Sequence, residues 1–131
     1  MIKKDTRVAV LGAGAMGCLF GGLLAEKGLE VVLIDVWQEH VDEINKKGLK
    51  MMGHGGDRIV KIKATTEPKK LGKYDAIIIM CKATALENAL SNAKNIIGDN
   101  TLLMSFQNGI GHEEIIQNLS LIHISEPTRP Y

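Results

Sequence analysis

Residues 7–17 read Arg-Val-Ala-Val-Leu-Gly-Ala-Gly-Ala-Met-Gly, an apolar run that leads directly into three closely spaced glycines. The apolar part predicts a buried parallel strand, and the helix-forming residues 15–27 predict a helix that begins inside the glycine segment. The first backbone N–H groups of such a helix have no partner within the helix, and they lie at the positive end of its dipole. A turn of this kind is suited to binding a phosphate group.

The glycine segment has the spacing G-x-G-x-x-G. In dinucleotide-binding domains the first glycine allows the tight turn, the second lets the backbone approach a pyrophosphate, and the third lets the helix pack closely on the strand. A glycine turn with a purely structural role is the alternative. The predicted pyrophosphate-binding residues are Gly12, Ala13, Gly14, Ala15, Met16 and Gly17.

Asp35 follows a second predicted strand, residues 30–34, and comes 18 positions after Gly17. Dinucleotide-binding domains place a carboxylate here that accepts hydrogen bonds from the adenosine ribose hydroxyls. A 2′-phosphate would be repelled by this charge, so Asp35 favours NADH over NADPH. No arginine follows directly, although Lys46 or Arg58 could reach a phosphate. The alternative is an aspartate that ends a strand incidentally.

The rest of the chain continues the alternation of strands and helices. We predict a helix over 38–47, a hairpin within 49–64, a strand over 75–80, a helix that ends at Gly98-Asp99-Asn100, a strand over 101–106 and a helix over 111–118. This order predicts an α/β fold with a Rossmann-type, doubly wound, mostly parallel sheet. The sheet would be incomplete, because a full domain of this type has one or two further strands.

The composition is that of an ordinary globular domain, with 45% apolar residues, 24% charged residues and a net charge of +1. We therefore expect neither nucleic acid nor a membrane as a partner, and no apolar stretch approaches the length of a membrane span. Cys18 and Cys81 have no metal-binding spacing, so we expect no metal site and interpret both as small buried residues. The glycine-interrupted start lacks a signal-peptide pattern, and we expect a cytoplasmic protein.

Two further segments place polar residues at strand ends. Cys81-Lys82-Ala83 follows the strand over 75–80, and Gln107-Asn108-Gly109 follows the strand over 101–106. Ligands of open parallel sheets bind beyond the carboxyl ends of the strands, so Lys82 and Asn108 are candidates for contacts with the nicotinamide ribose and a substrate carbonyl. The alternatives are an exposed strand-end lysine and an ordinary Asn-Gly turn.

Together the glycine loop, the Lys82-Ala83 pair and the Gln107–Gly111 segment resemble the ketopantoate reductase (2-dehydropantoate 2-reductase) family over about residues 7–118. The resemblance implies NADPH-dependent reduction of a small 2-keto acid, ketopantoate, to pantoate for pantothenate biosynthesis. It places residues 12–17 on the pyrophosphate, and Lys82 and Asn108 near the nicotinamide ribose and the substrate. Asp35 departs from the family pattern, in which a basic residue near that strand end accompanies NADPH.

The resemblance also implies a helical C-terminal domain with a proton-donating lysine, and that domain is missing here. We therefore expect this part to bind NAD(P)H weakly without turning over substrate, and the intact protein to form a homodimer. The open alternatives are another oxidoreductase related to 6-phosphogluconate dehydrogenase, a non-catalytic dinucleotide-binding module, and an FAD domain.

Residues 119–131 do not fit the pattern of the preceding domain. They interrupt the last predicted helix and end with two prolines. The run 119–129 resembles one reading frame of a sequencing-library adapter. We therefore interpret 1–118 as the dinucleotide-binding domain and 119–131 as a non-native tail, and we exclude His123, Ser125 and Glu126 from any active site. A native strand with a disordered end is the alternative.

Overall fold

The computed structural model describes residues 5–51 and 56–105, and in these ranges strands and helices alternate as the sequence predicts. The strands are β1 Arg7–Leu11, β2 Glu30–Ile34, β3 Leu49–Met51, β4 Arg58–Val60, β5 Lys63–Thr65, β6 Tyr74–Ile79 and β7 Ile97–Ser105. The helices are α1 Ala15–Glu26, α2 Gln38–Lys47 and α3 Ala83–Asn92, with short 3₁₀ helices at Pro68–Lys70 and Lys94–Ile96. Within these ranges no helix has the length and apolar character needed to cross a membrane.

Five strands form one sheet in the order β5-β2-β1-β6-β7, and every pair in it is parallel. The chain runs outward from β1 through β2 to β5 and then returns to the other side of β1, where Val8 lies between Val31 and Ala76. The change of direction between β1 and β6 is the topological switch point of a Rossmann-type fold. Strands β3 and β4 form a separate antiparallel hairpin, as predicted.

Alternate residues of β1 enter two different hydrophobic cores, one on each face of the sheet. Ala9 and Leu11 pack with Leu86 and Leu90 of α3, whereas Val8 and Val10 belong to the core that contains Val41 and Ile44 of α2. Because successive side chains of a strand point to opposite faces, a strand with apolar residues at every position is covered on both sides. The sheet is therefore doubly wound, which confirms the predicted fold class.

Helix α1 approaches the sheet closely at its glycines, and its half-buried side chains Phe20 and Leu24 pack against the same core. A Cβ atom on Gly21 would lie 2.6 Å from Cδ2 of Leu33, so the helix is too close to the strand for any side chain there. Met16, Leu19 and Leu23, which follow the helical period in the sequence, are between 40% and 51% exposed. Close packing at the glycine positions brings the start of α1 directly above the end of β1.

The sequence misplaced several boundaries in the second half. The strand predicted over 75–80 is Tyr74–Ile79, the run 63–65 joins the main sheet as β5, and the helix predicted to continue to Gly98 ends at Asn92. Residues 98–100, which resemble a turn, lie inside β7. The hydroxyl of Thr101 accepts a hydrogen bond from the Gly98 N–H and donates one to the Tyr74 carbonyl oxygen, both at 2.7 Å. The bond to Tyr74 joins residues 27 positions apart, and together with the local bond to Gly98 it holds an irregular strand where local preference favours a turn.

Candidate functional site

A cavity of about 860 Å³ opens at the carboxyl ends of β1, β2 and β6. It lies at the switch point of the sheet, where parallel α/β folds bind their ligands. Its lining includes Gly12 and Gly14 from the glycine segment, Asp35 from the end of β2, and Lys82 from the turn after β6. The cavity therefore brings together four of the predicted site residues.

Steric contacts explain why the loop needs glycine at two positions. Gly12 has a φ of +105°, which L side chains rarely adopt, and a Cβ atom there would lie 2.9 Å from the backbone nitrogen of Cys81. A Cβ atom on Gly17 would lie 1.9 Å from the carbonyl oxygen of Gly12. The loop therefore folds back on the first turn of α1 and lies directly against the end of β6, as a dinucleotide loop does.

Five of the six predicted loop residues divide into two groups, and the sixth, Gly12, is half-buried and lines the cavity. Gly14, Ala15 and Met16 are exposed at the start of α1, and Gly14 lines the cavity, whereas Ala13 and Gly17 are buried beneath them. A Cβ atom on Gly14 would meet nothing within 4 Å. The first-turn N–H groups of α1, with the positive end of the helix dipole, therefore lie where a phosphate can reach them.

Asp35 lines the cavity and also supports the loop. Its Oδ2 accepts a hydrogen bond of 2.8 Å from the N–H of Ala13, and its Oδ1 accepts bonds of 2.7 and 3.2 Å from the N–H groups of Val36 and Trp37. The sequence placed Asp35 at the ribose but did not predict these backbone contacts. The carboxylate joins the end of β2, the start of α2 and the glycine loop.

His40 and Cys18 contact the other backbone group of the same loop residue, the carbonyl of Ala13. His40 Nε2 lies 2.8 Å from the Ala13 carbonyl oxygen, and Cys18 Sγ lies 3.2 Å from it. Burial raises the pKa of the Cys18 thiol, and the charge of Asp35 adds to the rise, so the thiol stays protonated and can donate. The sequence carried no recognisable signal for His40, because only the fold brings α2 next to the loop.

The cavity is also lined by polar side chains that the sequence patterns did not indicate. Lys69 and Lys70 belong to the 3₁₀ helix after β5, and Asn88 and Asn92 lie one turn apart on α3. Asn95 holds this 3₁₀ helix in place, because its Nδ2 donates to the carbonyl oxygens of Pro68 and Leu71 at 2.8 and 2.6 Å. No local pattern predicts such a contact between segments 27 residues apart.

Two expectations about single residues need correction. Arg58, considered as a partner for a 2′-phosphate, forms an ion pair with Glu26 instead, and neither it nor Lys46 lines the cavity. Cys18 and Cys81, expected to be buried, are only half-buried. Cys81 lines the cavity, and burial raises the pKa of its thiol, with a further rise from the charge of Asp35. Asn108 lies outside the described residues, so its placement remains a prediction.

The fold places this protein in the class of Rossmann-type α/β proteins, with a glycine loop and a cavity at the switch point of the sheet. The family model described as "Ketopantoate reductase PanE/ApbA" matches residues 8–123. The chain therefore belongs to the ketopantoate reductase family, as its glycine loop and strand-end residues indicated.

Individual relatives agree with this assignment. The 2-dehydropantoate 2-reductase of Lactococcus lactis is 38% identical over 113 residues, which cover 85% of this chain and 36% of the relative. The protein of that name from Pyrococcus abyssi is 45% identical over 111 residues, 84% of this chain and 35% of the relative. The chain thus spans about a third of the length of these curated relatives.

Solved structures show the same likeness. D-mandelate dehydrogenase in its ternary complex with NADH and anilino(oxo)acetate has a TM-score of 0.83 and 37% identity, over 91% of this chain and 39% of that one. The PanE/ApbA family ketopantoate reductase of Ralstonia eutropha has a TM-score of 0.80 and 33% identity, over 87% of this chain and 38% of that one. The shared part in both comparisons is well under half of the larger protein.

Proposed function

We propose that this chain is the cofactor-binding part of an NAD(P)H-dependent reductase that converts 2-dehydropantoate to pantoate, in pantothenate biosynthesis. The observation that carries the proposal is the glycine loop, in which Gly14, at the exposed start of α1, lines a cavity of about 860 Å³ at the switch point of the sheet. Family membership supports the 2-keto acid as the substrate class. Cys18 and Cys81 are free thiols, which agrees with a cytoplasmic location.

We assign the loop residues 12–17 to the pyrophosphate of the cofactor and Asp35 to the adenosine ribose. Gly14 leaves open space above the first turn of α1, so the backbone amides there can approach a phosphate oxygen. Lys82, which lines the cavity at the start of α3, is assigned to the nicotinamide ribose, and Asn108 to that ribose and the substrate. When bound, the reduced nicotinamide supplies a hydride to a ketone carbon.

This chain by itself should bind cofactor without completing a reaction. Reduction of a ketone places negative charge on its oxygen, and a proton donor must be within hydrogen-bond reach of that atom. Lys82 lies on the cofactor side of the site, and the family resemblance assigns the proton-donating lysine to a helical domain that relatives of full length carry. We therefore expect measurable binding and no turnover from residues 1–131.

We propose NADH as the preferred cofactor because of Asp35. A carboxylate at the end of β2 accepts hydrogen bonds from ribose hydroxyls and repels a 2′-phosphate. The structure of D-mandelate dehydrogenase, which is 37% identical to this chain, is a ternary complex that contains NADH. Lys69, which lines the same cavity, reduces the discrimination, since a lysine there can partly neutralise a 2′-phosphate, whereas Lys70 forms an ion pair with Glu67.

Calorimetric titration with NADH, NADPH and FAD tests the proposal. The wild-type chain should bind NADH most tightly and FAD least. A preference for FAD would refute the assignment to an NAD(P)H-dependent reductase. Asp35→Ala should weaken both nicotinamide cofactors, because the loop loses its carboxylate support, and it should also bring the NADH and NADPH dissociation constants closer together. Asp42→Ala, an exposed carboxylate on α2 bonded to Gln38, is the control. An unchanged NADH to NADPH ratio in Asp35→Ala would remove Asp35 from the ribose.

The similarity to D-mandelate dehydrogenase favours a second candidate, a reductase of a different 2-keto acid. Both candidates need the same loop and cavity, so the cofactor titration does not separate them. Assays of the complete enzyme with 2-dehydropantoate and with an aryl-substituted 2-keto acid would do so. Faster reduction of the aryl substrate would replace the pantoate assignment while leaving the cofactor site intact.

A further inference from the structure

We propose that His40 is a positioning residue that holds the glycine loop in the conformation that binds the diphosphate. The proposal rests on the proposed function, since it concerns the same loop. His40, Asp35 and Cys18 contact the two ends of one residue, Ala13, and we call this set the Ala13 clamp. In the clamp, side chains from outside the loop fix a loop residue that does not itself face the cavity.

The clamp holds both hydrogen-bonding groups of Ala13. The N–H donates to Asp35 Oδ2 at 2.8 Å, and the carbonyl oxygen lies 2.8 Å from His40 Nε2. A carbonyl oxygen can only accept, so this contact requires the hydrogen of His40 on Nε2. Ala13 is 2% exposed, which excludes water as a ready substitute for either partner.

His40 is itself held in place by its neighbours on α2. Its ring stacks on Trp37, with the ring centroids 5.4 Å apart and the planes inclined by 29°. The N–H of Trp37 in turn donates to Asp35 Oδ1. The end of β2, the start of α2 and the glycine loop thus form one hydrogen-bonded unit.

Loss of the imidazole would leave the Ala13 carbonyl with the thiol of Cys18, which is a weak donor. The peptide that joins Ala13 to Gly14 would then be free to rotate, and the first amides of α1 follow it. A diphosphate needs several N–H groups aimed at once, so a small rotation weakens its binding. An adenosine that carries no phosphate does not contact these amides and should bind as before.

Two substitutions separate the hydrogen bond from the ring. His40→Phe keeps an aromatic ring for Trp37 to stack on but removes the donor, and His40→Gln supplies an amide N–H near the position of Nε2. By calorimetry on the full chain, we expect His40→Phe to weaken NADH and ADP-ribose by about tenfold, as the loss of a buried hydrogen bond predicts. We expect His40→Gln to stay within about threefold of wild type and adenosine binding to be unchanged in both. Asp42→Ala on the same helix is the control.

The outcomes distinguish a failure of the Ala13 clamp from a failure of the proposed dinucleotide site. Equal NADH affinity in wild type and His40→Phe overturns the clamp and leaves the dinucleotide site standing. An equal loss of NADH and adenosine affinity in His40→Phe also overturns it, because that result indicates general damage to the fold. A wild-type chain that binds no dinucleotide refutes the proposed function, and the clamp with it.

A measurement on the unmodified chain tests the clamp without relying on any variant. Nitrogen-15 NMR of the imidazole distinguishes the two neutral tautomers of His40. We expect the hydrogen on Nε2, and a neutral ring with the hydrogen on Nδ1 would overturn the proposal, since Nε2 could then donate nothing to Ala13.

Discussion

The two sides of the cavity are built in different ways. The glycine wall is formed by Gly12, Gly14 and Asp35. Gly12 lies too close to the Cys81 backbone for a Cβ atom, and the Asp35 carboxylate accepts three backbone hydrogen bonds. The lysine wall consists of exposed side chains carried by two short helical segments. Its members are Lys69, Lys70, Asn88 and Asn92.

The difference shows which part of a binding site tolerates substitution. A Cβ atom added to Gly12 or Gly17 meets backbone atoms, which cannot move without moving β1 or β6. A change at Lys69 alters one charged group that water screens. We therefore expect the glycine wall to determine whether a dinucleotide binds, and the lysine wall to adjust which one binds.

Gly17→Ala should have the largest effect, because the new Cβ atom would lie 1.9 Å from the Gly12 carbonyl oxygen. Backbone must move to relieve this overlap, which we expect to lower the free energy of unfolding by about 3 kcal/mol. Urea denaturation measures the change. Gly72→Ala is the matched control, since its Cβ atom would lie no closer than 3.8 Å to a neighbour. If the two variants are equally stable, Gly17 does not lie as close to the Gly12 carbonyl oxygen as the structure shows.

Gly14→Ala should weaken NADH binding by about tenfold, since its new methyl group occupies the space through which a diphosphate approaches the amides. The stability of the free protein should be unchanged, because nothing lies within 4 Å of the added atom and the φ of −75° suits alanine. Calorimetric titration and thermal denaturation of the same sample measure both quantities. A variant that binds NADH as well as wild type would show that the diphosphate does not lie over Gly14.

Lys69→Ala should have the smallest effect and should sharpen the contrast between the walls. We expect NADPH binding to weaken by about threefold, the scale of a solvent-screened ion pair, and NADH binding to change less than that. Titrations at low and moderate salt measure the dissociation constants of both cofactors. Lys50→Ala on the β3–β4 hairpin is the charge-matched control. An equal loss for both cofactors would place Lys69 away from the 2′-position, and a loss larger than that of Gly14→Ala would reverse our ranking of the walls.

The sequence-based predictions were accurate where the signals are local and wrong where a more distant contact decides the structure. The bounds of β1, β2 and α2 agree with prediction, because an apolar run, a helical period and a terminal glycine are all signals within a few residues of one another. The predicted end of α3, at residues 98–100, was wrong, because the helix ends at Asn92. Residues 98–100 have the composition of a turn, but Thr101 ties Gly98 to the neighbouring strand through its hydroxyl.

The residues that form the candidate site also divide into those that sequence patterns identified and those that only the fold revealed. Gly12, Gly14, Asp35 and Lys82 were identified from spacing and all line the cavity. His40 and Lys69 were not identified, since a histidine on an amphipathic helix and a lysine beside a proline are ordinary surface residues in any local window. Their positions depend on the contacts of α2 with the loop and of Asn95 with the 3₁₀ helix.

The amino-acid sequence by itself determined the alternation of strands and helices, the glycine loop after β1 and the acidic residue after β2, because each arises from steric and hydrogen-bonding preferences among near neighbours. Only the tertiary structure decided that Asp35 and His40 contact the two backbone groups of Ala13 and that Lys69 lines the same cavity as the glycine loop. Those arrangements join segments more than 20 residues apart. Their geometry is set by how the helices pack on the sheet, which no short stretch of sequence specifies.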